Sequence, residues 1–257
     1  MLKQLIQKLV RLINLILFKR QLPNKISIYF HETNQKELES IEKIIEYFID
    51  KDYKFLTISE FNKNIDTNEK NLAFTFDDGF SNWCDVLPIF KKYDIKATFY
   101  MNTIQFTSEK KGKFLSDIKC KDEKLLINEN ELDSIQKAGH EIGAHTHSHR
   151  TLKNINKEEF IFEISENLKV LNSYNIYPKN FAIPFGMRRY ATNYQIQYLL
   201  DKFDSVAYGE PGMLFTQKIS EIQRYPWKIE ESFQFNINNI STNTSLFNNL
   251  TKRSGLG

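Results

Sequence analysis

The sequence is poor in the residues that would indicate a specialised architecture. It has only two cysteines in 257 residues. Cys84 and Cys120 lack C-x-x-C spacing, so neither a disulfide framework nor a cysteine zinc site is indicated. Basic and acidic residues nearly balance, at 35 against 32, and the basic ones form no stripe. We therefore expect no nucleic-acid partner. No repeat or low-complexity linker divides the chain, and its 41% hydrophobic content indicates a folded globular protein.

Acidic residues are absent from the first 25 positions, which carry six lysines and arginines. The apolar residues there recur at helical spacing and predict a basic amphipathic helix over residues 1–22. Such a helix is typical of contact with an anionic membrane surface, here through residues 2–20. Packing on its own domain or on a partner subunit is the alternative. Lys8 and Arg11 interrupt the apolar run, and no signal-peptide cleavage site follows. We expect a cytoplasmic protein that is peripheral at the inner membrane surface where this helix binds.

Strand and helix patterns alternate from Pro23 to about residue 227. Asn128, Asn156 and Thr192 each precede a Glu or Gln by three residues and predict helix starts through capping boxes. Seven main strands separated mostly by helices predict a parallel sheet, and their number favours a barrel. We predict one domain over residues 23–230 and a polar tail over 231–257. In such barrels the chemistry lies at the carboxyl ends of the strands.

One predicted strand, LAFTFDDG at 72–79, ends in two adjacent carboxylates. Neighbouring residues on an extended chain face opposite sides, so Asp77 and Asp78 cannot point the same way. One carboxylate can bind a metal while the other stays free for proton transfer. The alternative is a simple turn, because Asp-Asp-Gly is favourable turn chemistry.

Three of the five histidines lie in the stretch HTHSH at 145–149. His145 and His149 are four residues apart, so a helical turn would place both imidazoles on one side, within reach of one ion. Adding one carboxylate from the Asp-Asp pair completes a His/His/Asp set with an open position, which is the catalytic form of zinc coordination. A solvated histidine-rich turn is the alternative.

These motifs together resemble a known family. TFDDG at 75–79 and HTHSH at 145–149 resemble the first two motifs of the NodB-homology polysaccharide deacetylases, carbohydrate esterase family 4. FAIPFG at 181–186 resembles the third. The resemblance covers roughly residues 25–227. It implies an α/β fold, a deformed (β/α)7 barrel, with a divalent metal, usually zinc, and hydrolysis of an N-acetyl group on a sugar.

The resemblance also implies roles for individual residues. Asp78, His145 and His149 would bind the metal. Asp77 would act as general base on the water, and the backbone N–H of Phe185 would help to hold the oxyanion.

The sequence departs from the common family pattern at two points. Ala182 stands where many members have an arginine that orients the base, and no histidine follows His149 to supply the late Leu-x-His motif. A subset of the family instead has F-A-x-P-[FY]-G and a Tyr-His pair that closes the first strand, and this chain has Tyr29-Phe30-His31.

Two hypotheses follow from this departure. His31 is the general acid or a substrate-orienting group, and Arg224 replaces the missing arginine as the partner of Asp77. The alternatives are a strand-end histidine bonded to a loop and an ordinary ion pair at the barrel rim.

The sequence thus predicts a metal-dependent hydrolase that removes N-acetyl groups from an amino-sugar glycan. A deformylase or other amidohydrolase of a lipid-linked amino sugar on the same barrel is one alternative. A catalytically silent sugar-binding relative is another, because the expected arginine and late histidine are missing. The expected partner is an acetylated glycan or a lipid-linked amino sugar.

Overall fold

The computed structural model describes residues 22–209, 214 and 217–241. The helix predicted over residues 1–22 lies outside these residues apart from Leu22, which packs against the main core. Within the described ranges, no helix is long and apolar enough to cross a membrane.

Nine strands of the described chain form one sheet in which every paired neighbour is parallel. They are β1 (Lys25–Phe30), β2 (Lys54–Phe55), β3 (Asn71–Asp77), β4 (Thr98–Met101), β5 (Glu141–Ala144), β6 (Asn180–Ala182), β7 (Ser205–Tyr208), β8 (Glu221–Gln223) and β9 (Tyr225–Pro226). Eight of them follow the order β8-β7-β6-β5-β4-β3-β1-β9, and β2 pairs with β3 beside this path.

The barrel is closed by a strand that is interrupted at a single residue. β8 pairs with β7, β9 pairs with β1, and only Arg224 separates β8 from β9. The Arg224 N–H donates to the Tyr208 carbonyl at 2.7 Å. With β8 and β9 counted as one strand, seven strands surround the axis. The predicted deformed (β/α)7 barrel is therefore confirmed.

Eight α-helices of the described chain connect or flank these strands. They are α1 (Gln35–Ile49), α2 (Ile58–Lys63), α3 (Leu87–Lys92), α4 (Gly112–Asp117), α5 (Glu129–Lys137), α6 (Lys157–Ser173), α7 (Asn193–Lys202) and α8 (Phe233–Ile240). The capping boxes predicted at Asn128, Asn156 and Thr192 are confirmed at the starts of α5, α6 and α7.

The two faces of the sheet carry side chains of different size. In β1, the outward Ile26, Ile28 and Phe30 belong to the large core between sheet and helices. A separate interior cluster combines alanines with a few larger residues: Ile58, Phe61, Ile65, Ala73, Tyr100, Ala182, Ala207 and Ile222. The small inward residues leave room inside the barrel for long polar side chains.

Helix α2 closes the amino-terminal end of the barrel. The Ile58 N–H donates to Thr98 Oγ1 at the start of β4, and the Ser59 N–H donates to Glu141 at the start of β5. Ile58 and Phe61 of this helix belong to the interior cluster, so the barrel interior is covered at this end.

The region predicted as a polar tail begins with α8. Ile237 and Ile240 are buried in the main core, and Asn236 bonds to the Tyr225 hydroxyl at 3.0 Å. This part of the region packs on the barrel, while the domain limit at residue 230 stays a prediction.

Candidate active site

The two adjacent carboxylates separate at the end of β3. Asp77 is the last residue of the strand, and Asp78 leaves it with a left-handed φ of 86°. Gly79 continues the turn at φ 82°, and a Cβ there would lie 2.3 Å from the Gln105 amide nitrogen. A non-glycine residue in this region carries backbone strain, which is common at functional sites. Both carboxylates are only 3% exposed but contact different partners.

Asp78 meets the two histidines predicted to share its site. Its Oδ1 atom lies 3.4 Å from His145 Nε2 and 3.2 Å from His149 Nε2. The ligand atoms of the three residues all lie within 4.8 Å of one another. The predicted helical turn is wrong, however. Thr146 and His149 have left-handed φ angles of 66° and 59°, so the imidazoles converge through an irregular turn.

The donor atoms of this cluster fit a divalent cation. His145 Nδ1 lies 2.8 Å from the Ala182 carbonyl oxygen, which can only accept, so Nδ1 carries a proton and Nε2 is the ring atom that could bind a cation. Asp78 Oδ1 is buried and has no hydrogen-bond partner among the described residues. A buried carboxylate oxygen without a donor is costly, and a cation would satisfy it.

The electrostatics of Asp78 and His149 agree with this fit. Burial acts to raise the pKa of Asp78, but the charges of the neighbouring histidines outweigh it and hold that pKa well below its usual value. Burial lowers the pKa of His149 to about 4. The carboxylate is thus ionised and this imidazole neutral, which are the states that bind metals. Burial acts to lower the pKa of His145, but its contact with Asp78 outweighs burial and raises that pKa, so a cation would displace a proton there.

Asp77 is held by a different partner. Arg224 Nη1 donates to Asp77 Oδ1 at 2.7 Å and Nη2 donates to Oδ2 at 2.8 Å, while Nη1 also contacts Thr75 Oγ1 at 3.0 Å. Arg224 is 0% exposed. Burial acts to raise the pKa of Asp77, but the charge of Arg224 outweighs it, and the pKa is lowered. The arginine is therefore buried inside the barrel rather than at its rim.

His31 and Phe185 lie at the mouth of the same pocket. His31 follows β1, its side chain is 54% exposed, and its Nε2 atom is 3.9 Å from Asp78 Oδ2. Phe185 has a left-handed φ of 62°, and its backbone N–H has no acceptor among the described residues. With Asp77 and Asp78, these residues line a pocket of about 590 Å³. The structure thus brings all seven residues singled out in the sequence to one end of the barrel.

Three polar side chains that the sequence analysis did not assign hold the histidine turn. Asn167 Nδ2 donates to the Thr146 carbonyl at 2.7 Å, and Asn102 Nδ2 donates to the His145 carbonyl. Glu163 accepts the Ser148 N–H at 2.8 Å.

Two of these residues carry a signal in the sequence. Glu163 and Asn167 lie one turn apart on the buried face of α6, between Phe160 and Leu171. Buried polar residues on the apolar face of a helix require partners, and that pattern could have revealed them.

Comparisons with known proteins find related sequences and a shared fold. Residues 64–199 match the family model described as polysaccharide deacetylase. A peptidoglycan-N-acetylglucosamine deacetylase from Bacillus cereus is 31% identical over 122 residues. That match covers 46% of this chain and 38% of the length of the relative.

Solved structures share the fold. The Streptococcus pyogenes deacetylase PplD, in complex with acetate, superposes with a TM-score of 0.63 at 18% identity, covering 85% of this chain and 97% of the other. IcaB from Ammonifex degensii gives a TM-score of 0.64 at 16% identity, covering 84% and 96%. At these identities the similarity concerns the barrel itself.

Proposed function

Because this chain belongs to the polysaccharide deacetylase family, we propose that it removes N-acetyl groups from an amino-sugar glycan by metal-assisted hydrolysis. One observation carries the proposal. A buried Asp/His/His cluster opens onto a pocket beside a second carboxylate that a separate arginine holds. We also assign the chain to the family subset with F-A-x-P-[FY]-G in its third motif.

Asp78, His145 and His149 would hold the cation, and three nitrogen and oxygen ligands with an open position suit zinc best. When bound, such an ion polarises the acetyl carbonyl and lowers the pKa of a water molecule towards about 7.

Asp77 accepts the proton of the attacking water. Its two oxygens each bind one nitrogen of Arg224, which keeps the carboxylate ionised and fixes its plane. A carboxylate oxygen can accept more than one hydrogen bond, so each oxygen retains capacity for a proton. The division of labour between the two aspartates follows from their separate partners.

Two residues at the mouth of the pocket stabilise the oxyanion and protonate the amine. The Phe185 N–H, which has no acceptor among the described residues, donates to the oxyanion that develops when water attacks the carbonyl. His31 protonates the departing amine. Its exposed imidazole lines the same pocket as Asp78, with its Nε2 atom 3.9 Å from Asp78 Oδ2.

The proposal is tested by incubating the zinc-reconstituted and the chelator-treated protein with N-acetylglucosamine oligomers. We expect zinc-dependent acetate release and the matching mass loss of one acetyl group per event. N-formylated oligomers run in parallel identify a deformylase. Oligosaccharide binding without turnover of either substrate would contradict hydrolysis and indicate a silent relative.

We expect His31→Ala to lower kcat on the acetylated oligomer by about 10²-fold, because general acids contribute roughly 10²- to 10⁴-fold. An aryl acetate, whose leaving group needs no proton, should react almost equally with variant and parent enzyme. Equal losses on both substrates would assign His31 to binding, and full turnover of the oligomer would exclude the acid role.

A further inference from the structure

The guanidinium of Arg224 lies between two tyrosine rings. Its central carbon is 4.8 Å from the ring centroid of Tyr29 and 5.1 Å from that of Tyr100. A cation over an aromatic face is attracted by the ring quadrupole, and this attraction is stronger where water is excluded. Arg224 is 0% exposed, so water is excluded from its contacts with the two rings.

The strand register places both rings beside the proposed base. Tyr29 pairs with Thr75 across β1 and β3, and Tyr100 pairs with Asp77 across β3 and β4. Thr75 and Asp77 are the two residues that accept from Arg224 Nη1. The two tyrosines therefore flank the strand that carries the acceptors of the guanidinium.

The barrel interior leaves space for these rings at two glycines. A Cβ on Gly143 would lie 2.4 Å from Tyr100 Cδ1, and one on Gly209 would lie 2.7 Å from Tyr29 Oη. Any larger residue at either position would displace a ring. The rings are thus positioned by the local absence of side chains opposite them.

Hydrogen bonds alone leave part of the guanidinium without a partner. Arg224 Nε and the Tyr100 hydroxyl are both buried, and neither has a hydrogen-bond partner among the described residues. The Tyr100 contact with the arginine therefore involves the ring face, not the hydroxyl.

We propose that Tyr29 and Tyr100 are positioning residues that clamp Arg224 and through it orient Asp77 for proton transfer. This inference rests on the proposed function in assigning Asp77 as the base. Tyr100 gives the sharper test, because it is 0% exposed and does not line the pocket. Substituting it changes no surface that a substrate contacts.

The kinetic test compares Tyr100→Phe with Tyr100→Leu on an N-acetylglucosamine oligomer, using zinc-reconstituted protein. Phe keeps the ring face and should keep kcat within about twofold, whereas Leu should lower kcat about tenfold with little change in KM. Gly143→Ala, which displaces the ring, should resemble Leu. Phe99→Leu is the matched control: this neighbour on β4 packs on Phe76 and Trp83 outside the interior. It should lose stability but keep kcat.

A second measurement does not depend on activity. In an Asp77→Asn, Arg224→Met background, the guanidinium charge and the carboxylate charge are both absent. Tyr100→Leu should therefore lower the unfolding midpoint less in this background than in the parent protein. We expect the two shifts to differ by about 2–6 °C.

Equal shifts in the two backgrounds, or equal kinetic losses for Phe and Leu, would overturn the clamp. If the parent enzyme is inactive on acetylated oligomers, the proposed function is refuted. Unequal shifts of the unfolding midpoint in the two backgrounds would still support the clamp in that case.

Discussion

Asp77→Asn is expected to lower kcat/KM by roughly 10²- to 10⁴-fold, the range that a positioned general base contributes. Asparagine has nearly the same shape and can still accept one hydrogen bond from Arg224, but its amide cannot take a proton from water. Because Asp77 contributes no atom to the Asp/His/His cluster, the variant should keep its zinc. Acetate release and zinc content after dialysis are the two measurements.

Asp78→Asn is the matched control, one residue further along the chain. It removes a ligand from the cluster, so we expect both the zinc and the activity to be lost. Zinc loss in Asp77→Asn with retention in Asp78→Asn would mean that the two aspartates have exchanged roles. Undiminished turnover by Asp77→Asn would exclude it as the base.

Arg224→Met is expected to have the largest effect on stability. It would leave the buried Asp77 carboxylate without its cation, and breaking one side of a buried ion pair costs about 3–5 kcal/mol. Methionine keeps much of the side-chain volume of arginine. The loss of stability should therefore come mainly from the unpaired Asp77 charge and only to a small extent from a cavity. Urea unfolding monitored by circular dichroism measures the difference in free energy of unfolding.

The double variant Asp77→Asn, Arg224→Met separates this cause from packing. Removing both charges eliminates the unpaired carboxylate, so most of the lost stability should return, although activity should not. If the double variant is as unstable as Arg224→Met alone, the arginine stabilises the barrel by filling space and the ion pair contributes little.

Local sequence patterns were sufficient to predict the alternation of strands and helices in this protein. The capping boxes at Asn128, Asn156 and Thr192 depend on residues three positions apart, and the alternation of strands and helices depends on side-chain period. Both signals act within a few residues, so they can be read without the fold. The motif residues Asp77, Asp78, His145 and His149 were also found locally, because parallel barrels gather strand ends at one rim.

The local conformation of the histidine turn was decided by the tertiary structure. Spacing alone favoured a helical turn for His145 and His149, whereas the chain adopts left-handed φ angles at Thr146 and His149. Side chains of β4 and α6 hold this turn through Asn102, Glu163 and Asn167. Such bonds compete with local helix propensity, and only a folded barrel places them within reach.

The pairing of Asp77 with Arg224 could not be derived from patterns of residues that are close together in the sequence. The two residues are 147 positions apart, and they meet because the interrupted last strand closes the barrel beside β1. The sequence by itself determined that a carboxylate pair and two histidines would share a rim. The family resemblance already assigned Asp78 to the histidines and suggested Arg224 as the partner of Asp77. Only barrel closure brings the Asp77 and Arg224 charges into contact, because charges and ring faces interact only over a few ångströms.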